Sequence, residues 1–149
     1  MAVSTVLSKM IGKSSEPIEV DVERGHIQRF ARAIGETNPI HFDPKAAAAA
    51  GYSDIVATLT FASAIHDFEA FYDQLGINPH VMMHQEEEFE YFRPIVAGDT
   101  LKVSHSVTNA YQKDVPNGQL VFIVLETRGN DKRSRPVFKS RRVLVELRK

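Results

Sequence analysis

The sequence predicts an α+β fold in which an antiparallel sheet wraps around one long apolar helix. Three observations predict it. Helical spacing dominates the first half of the chain and strand-like runs the second, an order typical of α+β folds. The stretch from Thr60 to Leu75 places Phe61, Ile65, Phe68 and Tyr72 at helical intervals, and Ala62, Ala64 and Phe71 make it apolar nearly all round, so it belongs inside. The strand candidates after it are joined by short turn-rich links, which favours antiparallel neighbours. At 149 residues, with 43% hydrophobic and 25% charged side chains and no repeat or linker, residues 1–149 suit a single domain with a substantial core.

Glu16 to Val20 reads as a short strand. A helix capped by Asp21 follows, with Ile27, Phe30, Ala31 and Ile34 as its apolar stripe and Gly35 as a left-handed stop. Asn38-Pro39 forces a bend, because the proline ring disfavours helical backbone at Asn38. A second short helix starts with Asp43 as N-cap and Pro44 at its first position, and runs through the alanines into Gly51. The long helix from Thr60 ends at Gly76, and Asn78-Pro79 turns the chain into four strands: His80 to Phe92, Thr100 to Tyr111, Gln119 to Arg128 and Val137 to Leu147. Ala97-Gly98-Asp99, Pro116-Asn117-Gly118 and Gly129-Asn130-Asp131 are the connecting turns. Val121 to Leu125 is apolar without alternation, as in a strand covered on both faces, whereas Val143, Val145 and Leu147 suggest one buried face. A helix with a sheet curled around it is the hot-dog arrangement.

Composition narrows the chemistry. With no cysteine, thiolate nucleophiles, thiolate metal sites and disulfides are excluded together. Met1 to Ile11 lacks the apolar run and basic leader of a signal peptide, so a cytoplasmic protein, with no membrane association, is expected. A net charge of −1 gives no general attraction to nucleic acid. The chain end is locally basic, through Lys132, Arg133, Arg135, Lys139, Arg141, Arg142, Arg148 and Lys149. It reads either as a charge-protected strand or as a landing patch for a phosphorylated carrier. His80 and His84 have a metal-like spacing only on a helix, which Asn78-Pro79 argues against, so no metal site is expected. Glu86, Glu87 and Glu88 alternate along a strand, turning Glu87 away from its neighbours. His66, beside Asp67, reads either as a satisfied helix histidine, the favoured reading, or as one reaching the substrate channel.

The bend between the first two helices holds Glu36 and His41, five positions apart in one loop. A carboxylate and a neutral imidazole facing one cavity can hold a water and move its protons, which suffices to add or remove water without metal or organic cofactor. A histidine beside an Asn-Pro turn can equally serve only to hydrogen-bond a backbone carbonyl.

Three blocks in order resemble the MaoC-like hydratases and dehydratases of hot-dog fold, especially their N-terminal type, over nearly the whole chain. Phe30 to Asp43 is similar to the hydratase motif, an acid followed after five positions by histidine. Ile55 to Ala62 is similar to the entry of the central helix, and His84 to Leu101 to the first long strand and its turn. The resemblance implies reversible hydration of a 2-enoyl thioester to an (R)-3-hydroxyacyl thioester carried on coenzyme A or acyl carrier protein. It puts His41 and Glu36 in the catalytic places and Asn38 in that of the asparagine orienting the loop. It also implies a site formed between two hot-dog subunits, as a homodimer or a heterodimer. Backbone amides around Thr58, Leu59, Thr60 and Phe61 would then meet the growing oxyanion. Burial under an acyl chain would make Glu36 hold a proton more readily. The chain departs from the pattern where Glu36 replaces the usual aspartate and Ala57-Thr58 replaces a His-Gly pair. A non-catalytic acyl-channel subunit and an acyl-CoA thioesterase are the alternative readings.

Overall fold

The computed structural model describes residues 5–65 and 68–148. In chain order these form α1 (Thr5–Ser8), β1 (Ile18–Asp21), α2 (Arg24–Ala33), α3 (Pro44–Ala49), α4 (Glu69–Leu75), β2 (Met83–Tyr91), β3 (Thr100–Val115), β4 (Gly118–Asn130) and β5 (Pro136–Arg148). Single 3-10 turns occupy Pro39–His41, Phe61–Ser63 and Pro79–Val81. The strands make one five-stranded sheet in the order β1-β3-β4-β5-β2, every pair antiparallel. This is the expected α+β hot-dog architecture. Among the described residues no helix is long and apolar enough to cross a membrane.

β4 lies at the centre of the sheet and is covered on both faces. Val121, Ile123 and Leu125 join Phe68, Phe71 and Leu75 in one core, while Phe122 and Val124 pack with Val143 and Val145 on the other side. Leu144 is buried with the first group, so β5 is apolar on both faces here and the expected alternation does not hold. A second core on the helix side joins Ile27 of α2 to Ile55, Phe61, Leu101, Val103 and Phe138. Full burial of each such side chain contributes about 1.5–3 kcal/mol. Phe138 crosses Gly129, where an added Cβ would collide with its ring.

Two local expectations are corrected. Asp21 does not cap α2: it pairs opposite Thr100 in the sheet and accepts that hydroxyl at 2.7 Å, so sheet pairing holds it extended and the helix begins at Arg24. The stretch from Thr60 to Leu75 is not one regular helix. It opens as the Phe61–Ser63 turn and becomes α-helical only at Glu69. Both the amide and the hydroxyl of Ser63 bond the Thr60 carbonyl, at 3.0 and 2.8 Å, fixing a tight i to i−3 pattern that competes with α-helix. His66 and Asp67 lie outside the described residues.

Candidate active site

The site is assembled by local signals that end one helix and start the next. Gly35, at φ +75°, closes α2, and the Glu36 amide donates to the Ala31 carbonyl at 2.9 Å, so the carboxylate leaves the helix end in a fixed direction. Its Oε1 accepts the amides of Thr37 and Asn38 at 2.8 and 2.9 Å. The Asn38 side chain accepts the Ile40 amide at 3.2 Å and caps the 3-10 turn that delivers His41. Asn38 is exposed and acts on the loop rather than on the cavity.

His41 is buried, and its Nδ1 lies 2.6 Å from the Val56 carbonyl. A carbonyl only accepts, so Nδ1 carries the proton and, in the neutral ring, Nε2 carries the lone pair. Nε2 faces Glu36 Oε2 at 3.9 Å. A water about 2.8 Å from both atoms would see them at roughly a right angle, within ordinary hydrogen-bond geometry. The backbone-carbonyl reading of the histidine holds, and that bond is what turns the other ring nitrogen towards Glu36. Val56 is placed by its own amide, which donates to Ile40, and by its bridge to Val96.

The pair opens onto a cavity of about 640 Å³. Ile34, Ile40 and Tyr52 form one wall, Val56 to Thr60 the second, and Tyr91 to Ile95 the third. Thr58 Oγ1 is buried there without a hydrogen-bond partner among the described residues. Thr58, Leu59 and Thr60 line the cavity as expected, but Phe61 does not. Its ring is fully buried against Phe30 and His26, and its amide is spent on the Thr58 carbonyl at 3.0 Å. Among the described residues, the amides of Thr58, Leu59 and Thr60, all in cavity-lining residues, donate no hydrogen bond.

The charge on Glu36 runs opposite to expectation. Amide bonds from Asn38 and Thr37 hold its carboxyl below the usual range, outweighing desolvation, because the side chain is still one-third exposed. Glu36 thus enters the pair as a carboxylate.

Tyr91 was the residue least visible from sequence. It ends β2, where alternation with Phe89 puts both rings on the inner face; that period-two pattern just before Arg93-Pro94 is the signal that would have found it. The basic chain end proves largely paired: Arg135 with Asp131, Lys139 with Glu90, Arg141 with Glu86, Arg142 with Glu87 and Arg148 with Glu146. Lys149 lies outside the described residues. Glu87 does point away from Glu86 and Glu88, inward to Arg142, and His84 leans on it at 3.2 Å.

Residues 9–140 match the family described as FAS1-like, dehydratase domain region. The chain belongs to this dehydratase family. A UPF0336 protein of Streptomyces avermitilis is 39% identical over 103 residues, 65% of this chain and 68% of that protein. Across it and its namesakes from Clavibacter michiganensis and Saccharopolyspora erythraea, the matched stretch spans 61 to 68% of the relative's length. Among solved structures, a MaoC-like dehydratase superposes with a TM-score of 0.79 at 29% identity, over 93% of this chain and 42% of that one. The C-terminally truncated HadBC (3R-hydroxyacyl-ACP dehydratase) complex of Mycobacterium tuberculosis superposes at 0.78 and 21% identity, over 91% and 96%. The dehydratase family thus has the same hot-dog frame and MaoC-like kinship that the three sequence blocks suggested.

Proposed function

We propose that the protein hydrates 2-enoyl thioesters reversibly to 3-hydroxyacyl thioesters, with Glu36 and His41 sharing one water. The observation that carries this reading is Nε2 of His41 facing Oε2 of Glu36 at 3.9 Å on the cavity wall. With Glu36 ionised and the neutral His41 ring presenting Nε2, the pair acts first as a base, and the order of events follows. Water adds to C3 while the pair takes its proton, the carbonyl oxygen gains charge beside the amides of Thr58 to Thr60, and the same proton or its equivalent then reaches C2. The base is regenerated, so no cofactor enters the balance. Thr58 Oγ1, unpartnered among the described residues, is available to the thioester.

The cavity rim supports a second subunit over the site. Ile34, Leu59 and Phe92 border it and are 51, 76 and 52% exposed, an apolar margin that another hot-dog chain would cover. The partner is a second copy or a different dehydratase subunit, as in complexes named for HadBC. Water addition to crotonyl-CoA and to longer enoyl thioesters, by the chain alone and mixed with a second hot-dog subunit, tests the reading, with thiol release followed in parallel. Hydration that disappears in His41→Ala supports it. Hydration unchanged in His41→Ala, or thiol release alone, would sink it.

A further inference from the structure

We propose that Tyr91 is a positioning residue, a phenol that holds the Thr58–Ala62 turn in the shape its unpartnered amides need to meet a substrate carbonyl. The inference rests on the hydratase reading above. The Tyr91 hydroxyl donates to the Leu59 carbonyl at 2.6 Å, and the Ala62 amide faces the same oxygen, so one group spans the turn from end to end. The Leu59 carbonyl and the Thr60 amide are opposite ends of one rigid peptide plane. Fixing the first therefore fixes the direction of the second. Leu59 cannot be held by packing, since its side chain is 76% exposed.

The ring has a place that does not depend on its hydroxyl. Tyr91 stands opposite Phe138 in the β2–β5 register, its ring 6.4 Å from that of Phe138 and stacked on Phe89 at 6.2 Å. Phe138 in turn is seated over Gly129. Burial pushes the phenol up to about 12, which keeps it neutral and able to donate and accept at once.

This separation gives a clean variant. Tyr91→Phe keeps the ring and frees the turn, so the expected result is a kcat about tenfold lower, one lost hydrogen bond's worth, with KM unchanged within about twofold and melting within a few degrees of wild type. The carbonyl stretch of a bound enoyl thioester, lowered in the wild type by amide donors, is expected to return toward its solution frequency. A merely structural role would lower the melting temperature and leave that frequency alone. An active wild type whose Tyr91→Phe variant keeps both kcat and carbonyl stretch would overturn this assignment only. A wild type that adds no water to any enoyl thioester would overturn the hydratase reading and this assignment with it.

Discussion

His41 and His105 are alike in burial, 8 and 3% exposed, and each ties Nδ1 to an oxygen, the Val56 carbonyl at 2.6 Å in one case and the Thr127 hydroxyl at 2.9 Å in the other. They differ in their surroundings. His105 lies in the core between Phe68 and Phe71, with ring centroids 4.2 and 5.8 Å away, and burial together with Arg142 pushes its pKa down to about 4. His41 has a carboxylate and a cavity on its far side. Burial and a fixed Nδ1 are common to both rings, and the carboxylate and cavity beside Nε2 are what make His41 the candidate.

The comparison is broken most sharply at His41. His41→Ala should lower kcat/KM for enoyl-thioester hydration by about 10³- to 10⁴-fold, the range for a positioned base, while a comparable change at His105 should leave chemistry alone. Glu36→Gln comes next, at about 10²- to 10³-fold in kcat. The amide still accepts the Thr37 and Asn38 bonds through its oxygen, so the loop is kept and only the charge is lost. The smaller effect follows from its lowered pKa, which makes it a weak base. Because the carboxyl is held below the ordinary range, the acid-side loss of rate belonging to Glu36 should also lie below that range in a pH–rate profile.

At His105 the expected signature is stability. Its folded pKa is depressed, so the unfolded chain binds the proton first, and stability present above pH 6.5 is lost as pH falls toward about 4. The loss attributable to this one group between pH 7 and 4.5 is on the order of 2 to 3 kcal/mol. His105→Gln should flatten that part of the curve, read from urea midpoints at the two pH values, with kcat at pH 7 unmoved. A slope identical to wild type would show that the ring is not the group responsible.

The loop carrying Glu36 and His41 was legible in the sequence because its signals are local. Gly35, Asn38-Pro39 and Asp43-Pro44 each act within a few residues, and all three behave as their chemistry dictates: Gly35 is left-handed, and Asn38 and Asp43 accept the amides two residues on. The doubly covered centre of β4 was equally readable from Val121 to Leu125. What failed was decided by partners far away in the chain. Asp21 has the chemistry of a helix cap, but pairing with Thr100 across the sheet outweighs it. Phe61 belongs to the expected oxyanion turn, yet α2 claims its ring. For Glu36 the deciding partners are near but are backbone: the amides of Thr37 and Asn38 in its own loop set the direction of its pKa. Tyr91 shows the same limit, since its bond to Leu59 joins residues 32 positions apart.

The smallest expected effect separates the cavity from the core in the opposite way. Thr58 Oγ1 is buried without a partner among the described residues, and a hydroxyl left so costs about 1–3 kcal/mol relative to a satisfied one. Thr58→Val has nearly the same shape and removes that cost, so the variant should be more stable than wild type, by about 1 kcal/mol in urea denaturation. If the hydroxyl waits for the thioester, the same variant should bind substrate less well, with KM raised by about three- to tenfold. Core substitutions that lose a fitted group are expected to lower stability and to spare binding. A variant that gains stability while losing affinity marks a residue whose partner arrives with the substrate, and a Thr58→Val protein with neither change would remove Thr58 from the site.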